Sequence, residues 1–247
     1  MLLGELSGPE WEDAHGGAVL VPVGSTENHG PHLPMGTDLA IAEAMCAAAC
    51  EHDEGLVVAP SIPYGVSYQH DGLPGGAVSF PAALLSEVVV TVAEGLLRAG
   101  PQRAVMLVNG HAGNNSALFS AVDEIGRRRG QARVAACSWW HLVMDVIEGS
   151  GRLDAGGIGH AGAIETSVML AARPDLVRRE RIPEGSSGWP EGVLRDSRLY
   201  RWLDFDPYIE DGVLGSPRDA DEHFGTQLLD AVGERLAALA AELRSKE

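Results

Sequence analysis

Thiols are scarce in this chain. Three cysteines, Cys46, Cys50 and Cys137, occur in 247 residues. None falls in Cys-x-x-Cys spacing, which argues against a disulfide scaffold or a thiolate zinc ribbon. Cys46 and Cys50 lie one helical turn apart in an alanine-rich stretch and read as small buried apolar residues. Positive charge is also in short supply: 18 Lys and Arg face 35 Asp and Glu, for a formal net charge of −17. Such a balance repels nucleic acid and anionic lipid, so neither is an expected partner. No apolar run is long enough to span a bilayer, and no basic stretch leads into a short apolar one, so the expected location is cytoplasmic. Three nucleotide and hydrolase signatures are missing as well. The chain has no Gly-x-x-x-x-Gly-Lys-Ser/Thr loop, no Gly-x-Gly-x-x-Gly after a strand and no Gly-x-Ser-x-Gly elbow.

What is present is apolar runs that end in polar loops. Ala18–Val23 is an apolar stretch followed by Gly24, and Ala104–Val108 is the clearest buried strand. Shorter strands are expected at Leu56–Ala59 and Arg133–Ser138. Helices are expected from Asp38 to about Cys50 with Thr37 as N-cap, from Pro81 to about Arg98, and up to about Arg129. Leu84, Leu85, Val88, Val89, Val92 and Leu96 share one face of the second of these. Further helix is expected at Val168–Ala172 and from about Asp219 to Leu243, the latter with a stripe of Phe224, Leu228, Val232, Leu236, Leu239 and Leu243. Strands alternating with helices predict a three-layer α/β/α domain around a central, mainly parallel sheet. No repeat or linker interrupts residues 1–247, so one domain is expected. Residues 1–17 read as a lead-in outside the core, and 173–218 as an excursion over the site or a subunit contact.

The chemistry is concentrated at strand ends. Glu27, His29 and Asp38 follow the first strand, and His111 follows the second; in an open α/β sheet those ends meet at one crevice. Each residue alone has an ordinary reading, as a solvated acid, a helix cap or a bonded loop histidine. Together, with no thiolate, they suit Zn²⁺, Mn²⁺ or Fe²⁺. Two such ions can polarise a carbonyl and generate hydroxide at neutral pH. Asp38, at a helix start, is free to bridge them. His32 is held between Pro31 and Pro34 and reads as a supporting residue. His160 is the candidate for proton transfer to a leaving nitrogen. Glu165 is open between a metal ligand and a residue that favours its helix N-terminus. Of Trp139 and Trp140, one reads as core and the other as a flat substrate wall. Tyr64 sits in the long loop 62–76, a length typical of functional loops, and with Trp140 is the candidate substrate contact.

Glu27-Asn28-His29-Gly30-Pro31-His32-Leu33-Pro34 with Thr37-Asp38, Asn109-Gly110-His111-Ala112-Gly113-Asn114, and His160-Ala161-Gly162 with Glu165-Thr166-Ser167 resemble the creatininase (creatinine amidohydrolase) family. The resemblance implies a dinuclear metal centre, hydrolysis of a C–N bond, and a homo-oligomer, often a hexamer. It matches Glu27, His29, Asp38 and His111 to metal ligands, His160 to the proton-transfer histidine and Trp140 to a pocket tryptophan. Two departures stand near the substrate. Gly113 occupies the place of a glutamate ligand of creatininase proper, a loss that Glu165 would have to make good. The Gly-Trp pair that precedes the third block is missing from Arg152–Gly159. The expected activity is a metal-dependent amidohydrolase of a small or cyclic amide. The alternatives are a peptidase removing a C-terminal dipeptide from a precursor peptide, as in the mycofactocin branch, and a non-catalytic metal- or ligand-binding protein on the same fold.

Overall fold

The computed structural model describes residues 1–14, 17–99, 104–130, 133–153, 158–186, 205, 209 and 211–245. Strands β1 (Ala18–Val23), β2 (Val57–Val58), β3 (Ala104–Asn109) and β4 (Val134–Ser138) form one parallel sheet in the order β2-β1-β3-β4. β1 is central and buried on both faces, so it reads as a continuous apolar run rather than an alternating one. The alternation survives as a sorting of cores. Ala18, Leu20, Ala104, Met106 and Val108 face one apolar cluster. Val19, Val21, Val23, Val105 and Leu107 face the other. Pro22 has no N–H to give the ladder, and its carbonyl accepts from the Ile62 amide at 2.9 Å.

Each cluster is closed by helices, and the result is the α/β/α layering expected from sequence. Helices α2 (Thr37–His52), α7 (Ala163–Ala172) and α8 (Glu222–Ser245) cover the first face through Ile41, Met45, Ile164, Val168, Phe224, Leu228 and Val232. Helices α3 (Ala82–Ala99) and α4 (Asn115–Arg129) cover the second through Leu85, Val89, Leu97, Leu118 and Ile125.

Three local expectations need correction. Thr37 lies inside α2, where its hydroxyl donates to the Pro34 carbonyl at 2.7 Å, and Gly36 takes the cap position. In α3 the buried stripe is Leu85, Val89, Val90, Ala93 and Leu97, so Leu84 is turned outward. In α8 the buried stripe keeps the four-residue step from Phe224 through Leu228, Val232 and Leu236 to Ala240, with Ala237 beside it, and leaves Leu239 exposed. The first residues are also more structured than a lead-in: helix α1 spans Gly8–Asp13, and the Val58 amide donates to the Met1 carbonyl at 2.8 Å. The expected excursion 173–218 lies in large part outside the described residues. No described helix is long and apolar enough to cross a membrane.

Candidate metal centre

β1 and β3 end in register, Val23 beside Asn109, so both chains leave the sheet at one level. With β2 on one side of β1 and β3 on the other, this is the point where connections diverge and a crevice opens. A brace of asparagine side chains holds the two exits. Asn109 Nδ2 donates to the His111 carbonyl at 2.8 Å, and Asn114 Nδ2 to the Gly24 carbonyl at 3.0 Å. Asn114 Oδ1 accepts from the Val66 amide at 2.8 Å, which draws the 62–76 loop into the same layer. Gly110 lets β3 pass against the first turn of α2. A Cβ there would meet the Asp38 backbone, 2.9 Å from its carbonyl carbon.

These elements deliver Glu27, His29, Asp38, His111, His160 and Glu165 to one buried cluster. Three sets have ligand atoms within 4.8 Å of one another: Glu27, His29 and His160; Glu27, Asp38 and His111; and His29, Asp38 and Glu165. Glu27 and Asp38 each belong to two sets. Two full carboxylates in an apolar interior need positive charge beside them.

The ring tautomers show what kind of charge fits. His111 Nε2 lies 3.0 Å from the Val66 carbonyl, which only accepts, so that nitrogen carries the proton. Its Nδ1 is turned to the carboxylates, 3.2 Å from Glu27 Oε1 and 3.3 Å from Asp38 Oδ2. His29 repeats the pattern, with Nδ1 at 3.1 Å from the Glu27 carbonyl and Nε2 at 3.2 Å from Asp38 Oδ1. His160 does so again: Nε2 lies 2.6 Å from the Asn28 carbonyl, and Nδ1 3.8 Å from Glu27 Oε1. Burial opposes charge on His111, but Glu27 and Asp38 raise its pKa well above the usual value, so a proton stands on its Nδ1 where a cation would displace it. Both Glu27 oxygens and Asp38 Oδ2 are buried without a hydrogen-bond partner. Imidazoles oriented by backbone carbonyls, around carboxylates with free oxygens, fit divalent cations.

The ionisation of the cluster follows the same field. Burial works against charge on Glu27, yet His111 and His70 hold its carboxyl well below the usual range. Burial also opposes charge on His29, but Asp38 beside it raises its pKa to about 10. Glu165 is pushed up to about 7, chiefly by burial. Its Oε2 accepts the Ala161 amide at 2.6 Å.

Other expected residues fall differently. His32 is buried with Nε2 2.9 Å from Thr166 Oγ1, consistent with a supporting place behind the cluster. Trp140 is the second residue of helix α5 (Trp139–Leu142), which is followed by α6 (Met144–Gly149), and packs edge-on against Trp139 and His141, with ring centroids 6.0 and 5.4 Å away. Tyr64 is exposed and meets Phe80 edge-on at 5.5 Å. Neither is in a described contact with the cluster. One site residue escaped the sequence reading. His70 is buried, with Nε2 3.3 Å from Glu27 Oε1 and its ring 4.5 Å from that of His160. It lies in the long loop singled out for its length, and an imidazole there was the available signal.

Gly113 explains why one ligand position differs. A Cβ at this position would run into the Val66 carbonyl and lie 3.1 Å from His111 Cδ2. Gly113→Ala is therefore expected to displace the carbonyl that orients His111. The expected cost is about 1–3 kcal/mol of stability, the scale of overpacking, with loss of metal at the His111 set. Thermal denaturation together with metal analysis checks both. Glu165 meanwhile lies with His29 and Asp38.

A sequence model of the creatininase family, described as creatinine amidohydrolase, matches residues 4–240. A mycofactocin precursor peptide peptidase of Mycobacterium ulcerans (strain Agy99) is 33% identical over 211 residues, covering 82% of this chain and 76% of the relative. The creatinine amidohydrolase of Pseudomonas putida is 33% identical over 198 residues, covering 74% and 75%. A solved structure described as "Creatininase Mn" superposes with a TM-score of 0.83 at 27% identity, covering 99% of each chain. The chain belongs to the creatininase family, hydrolases that act on carbon–nitrogen bonds.

Proposed function

We propose that this chain is a metal-dependent amidohydrolase of a small or cyclic amide, with Glu27, His29, Asp38, His111 and Glu165 holding two divalent cations, zinc, manganese or iron(II). The observation that carries the reading is His111 Nδ1 set within 3.3 Å of Glu27 Oε1 and Asp38 Oδ2, both buried without a hydrogen-bond partner. Asp38, common to the sets containing His111 and Glu165, would be shared between the two cations. When bound, such cations act as Lewis acids on the amide carbonyl and make water a usable nucleophile near neutral pH.

The chain's own residues supply orientation and proton transfer. His160 is fixed by its bond to the Asn28 carbonyl, which leaves Nδ1 as the atom that receives a proton and passes it to the departing nitrogen. His70 crowds Glu27 on one side and helps exclude water. In this reading the protein works in the cytoplasm as a single-domain homo-oligomer, with neither nucleic acid nor membrane as partner.

The similarity to the M. ulcerans peptidase favours a second reading, removal of a C-terminal dipeptide from a precursor peptide. One experiment addresses both. Metal-stripped protein is reloaded with Mn²⁺ or Zn²⁺, its metal content measured, and creatinine, formamides, hydantoin-like rings and peptides cut at a C-terminal dipeptide are offered. Turnover of the small amides supports the first reading and turnover of the peptides the second. Bound metal with no turnover favours a non-catalytic binding protein. Protein that takes up no metal sinks all of them.

A further inference from the structure

Only a small part of the cluster is open. Asn28, His111, His160 and Glu165 retain 8, 8, 7 and 9% exposure, whereas His29, Asp38 and His70 retain 1, 1 and 2% and Glu27 none. His160 lies on this more open side, its Nε2 bonded to the Asn28 carbonyl. On that side stands Phe205. Its ring centroid is 4.9 Å from that of His70, at an interplanar angle of 59°, and 6.3 Å from that of His160. The ring is only half-buried although both histidines beneath it are buried.

Its footing is fixed. The Phe205 amide donates to the Gln69 carbonyl at 3.2 Å, the residue just before His70, and its carbonyl accepts from Ile209 at 3.0 Å. The side chain packs on Leu73, Ile209 and Leu214, and Leu214 exchanges both backbone hydrogen bonds with His160 at 2.8 Å. Phe205 is thus tied through the backbone to both rings that it covers. His70 Nδ1 below it is buried and has no hydrogen-bond partner, so a polar atom lies unused beside this apolar face. The chain has four phenylalanines in 247 residues. The flat wall expected of Trp140 is not met by that residue's described contacts, which lie with Trp139 and His141.

We infer that Phe205 is a specificity-determining residue, an aromatic wall at the mouth of the metal cluster that selects substrates carrying a flat apolar group next to the scissile amide. The inference rests on the metal-centre reading above, and the test separates the two. A stacked aromatic pair adds to the gain from simple burial. Hydroxamates anchor on divalent metals, so acetohydroxamate and benzohydroxamate differ only in what they place beside the anchor.

Binding of both to Mn²⁺-loaded protein is measured by titration calorimetry for the wild type, Phe205→Ala and Phe205→Tyr. The wild type is expected to prefer benzohydroxamate by roughly tenfold. Phe205→Ala is expected to lose most of that preference while acetohydroxamate affinity and metal content stay within about twofold, and Phe205→Tyr to keep it. No aryl preference in the wild type, or an unchanged preference in Phe205→Ala, overturns the inference and leaves the metal centre standing. Failure of the wild type to take up Mn²⁺ removes the metal-centre reading, and this inference with it; failure of loaded wild type to bind either hydroxamate overturns this inference alone. If Phe205→Ala loses metal or acetohydroxamate binding, Phe205→Leu decides: it keeps the apolar volume without the ring, and a retained aryl preference there overturns the inference.

Discussion

Asp38→Ala is expected to empty the cluster, from about two cations per chain to close to none. Its two oxygens face different partners, Oδ1 towards His29 Nε2 and Oδ2 towards His111 Nδ1. Among the described residues, no other carboxylate lies within ion-pair distance of both imidazoles. Glu165→Gln removes an oxygen ligand from only one set, so it is expected to leave about one ion bound. Elemental analysis after gel filtration separates these results, and equal losses from the two variants would count against Asp38 as the bridge. Hydrolysis by Asp38→Ala should fall by roughly three orders of magnitude or more, the scale for losing a member of a catalytic unit. Stability offers a readout independent of turnover. A ligand at a hundred to a thousand times its Kd adds about 2.7–4 kcal/mol to the folded state. A chelator should therefore lower the melting temperature of the wild type by roughly 5–15 °C. Asp38→Asn should hardly respond, because it has little metal to lose.

His160→Ala is the second large effect, and its signature is the opposite one. Loss of a positioned proton carrier costs about 10²–10⁴ in rate, while metal content is expected to stay near that of the wild type. The distinction matters because His160 also falls within 4.8 Å of Glu27 and His29 as a set of potential ligand atoms. If the variant is inactive and also short of metal, His160 is a ligand and the proton must move through another group. His160→Gln adds a control, since its amide can still donate to the Asn28 carbonyl now bonded at 2.6 Å. It should keep the local fold without restoring the rate.

The fold was legible because its strongest signals are local. β1 and β3 are uninterrupted apolar runs, and each leads straight into Gly-bearing polar loops. Six cluster residues could be nominated for the same reason: Glu27, His29, Asp38, His111, His160 and Glu165 stand at strand or helix ends. His70 was harder to see. Its relation to Glu27 depends on a loop folded back by Asn114, whose side chain grips Val66 and Gly24 from a third segment. Such a contact leaves no periodic trace. Helix faces failed in a characteristic way. Leu84 and Leu239 carry apolar side chains at near-helical spacing but point outward, because burial follows the rotation of the helix and not the residue type. Trp140 was nominated through resemblance, and its neighbours are fixed instead by the short helix in which it lies.

The placement of β1 has a consequence for how the chain is made. This strand is the spine of the sheet, yet β3, its longer partner, emerges from the ribosome only after α2, β2 and α3. Until then β1 can pair in the sheet only with the two residues of β2. Non-local pairing of this kind forms late and leaves an apolar segment exposed to other nascent chains. Pro22 interrupts that segment. Lacking an N–H, it is a poor template for intermolecular strand pairing, and in the native sheet its carbonyl is still satisfied by Ile62.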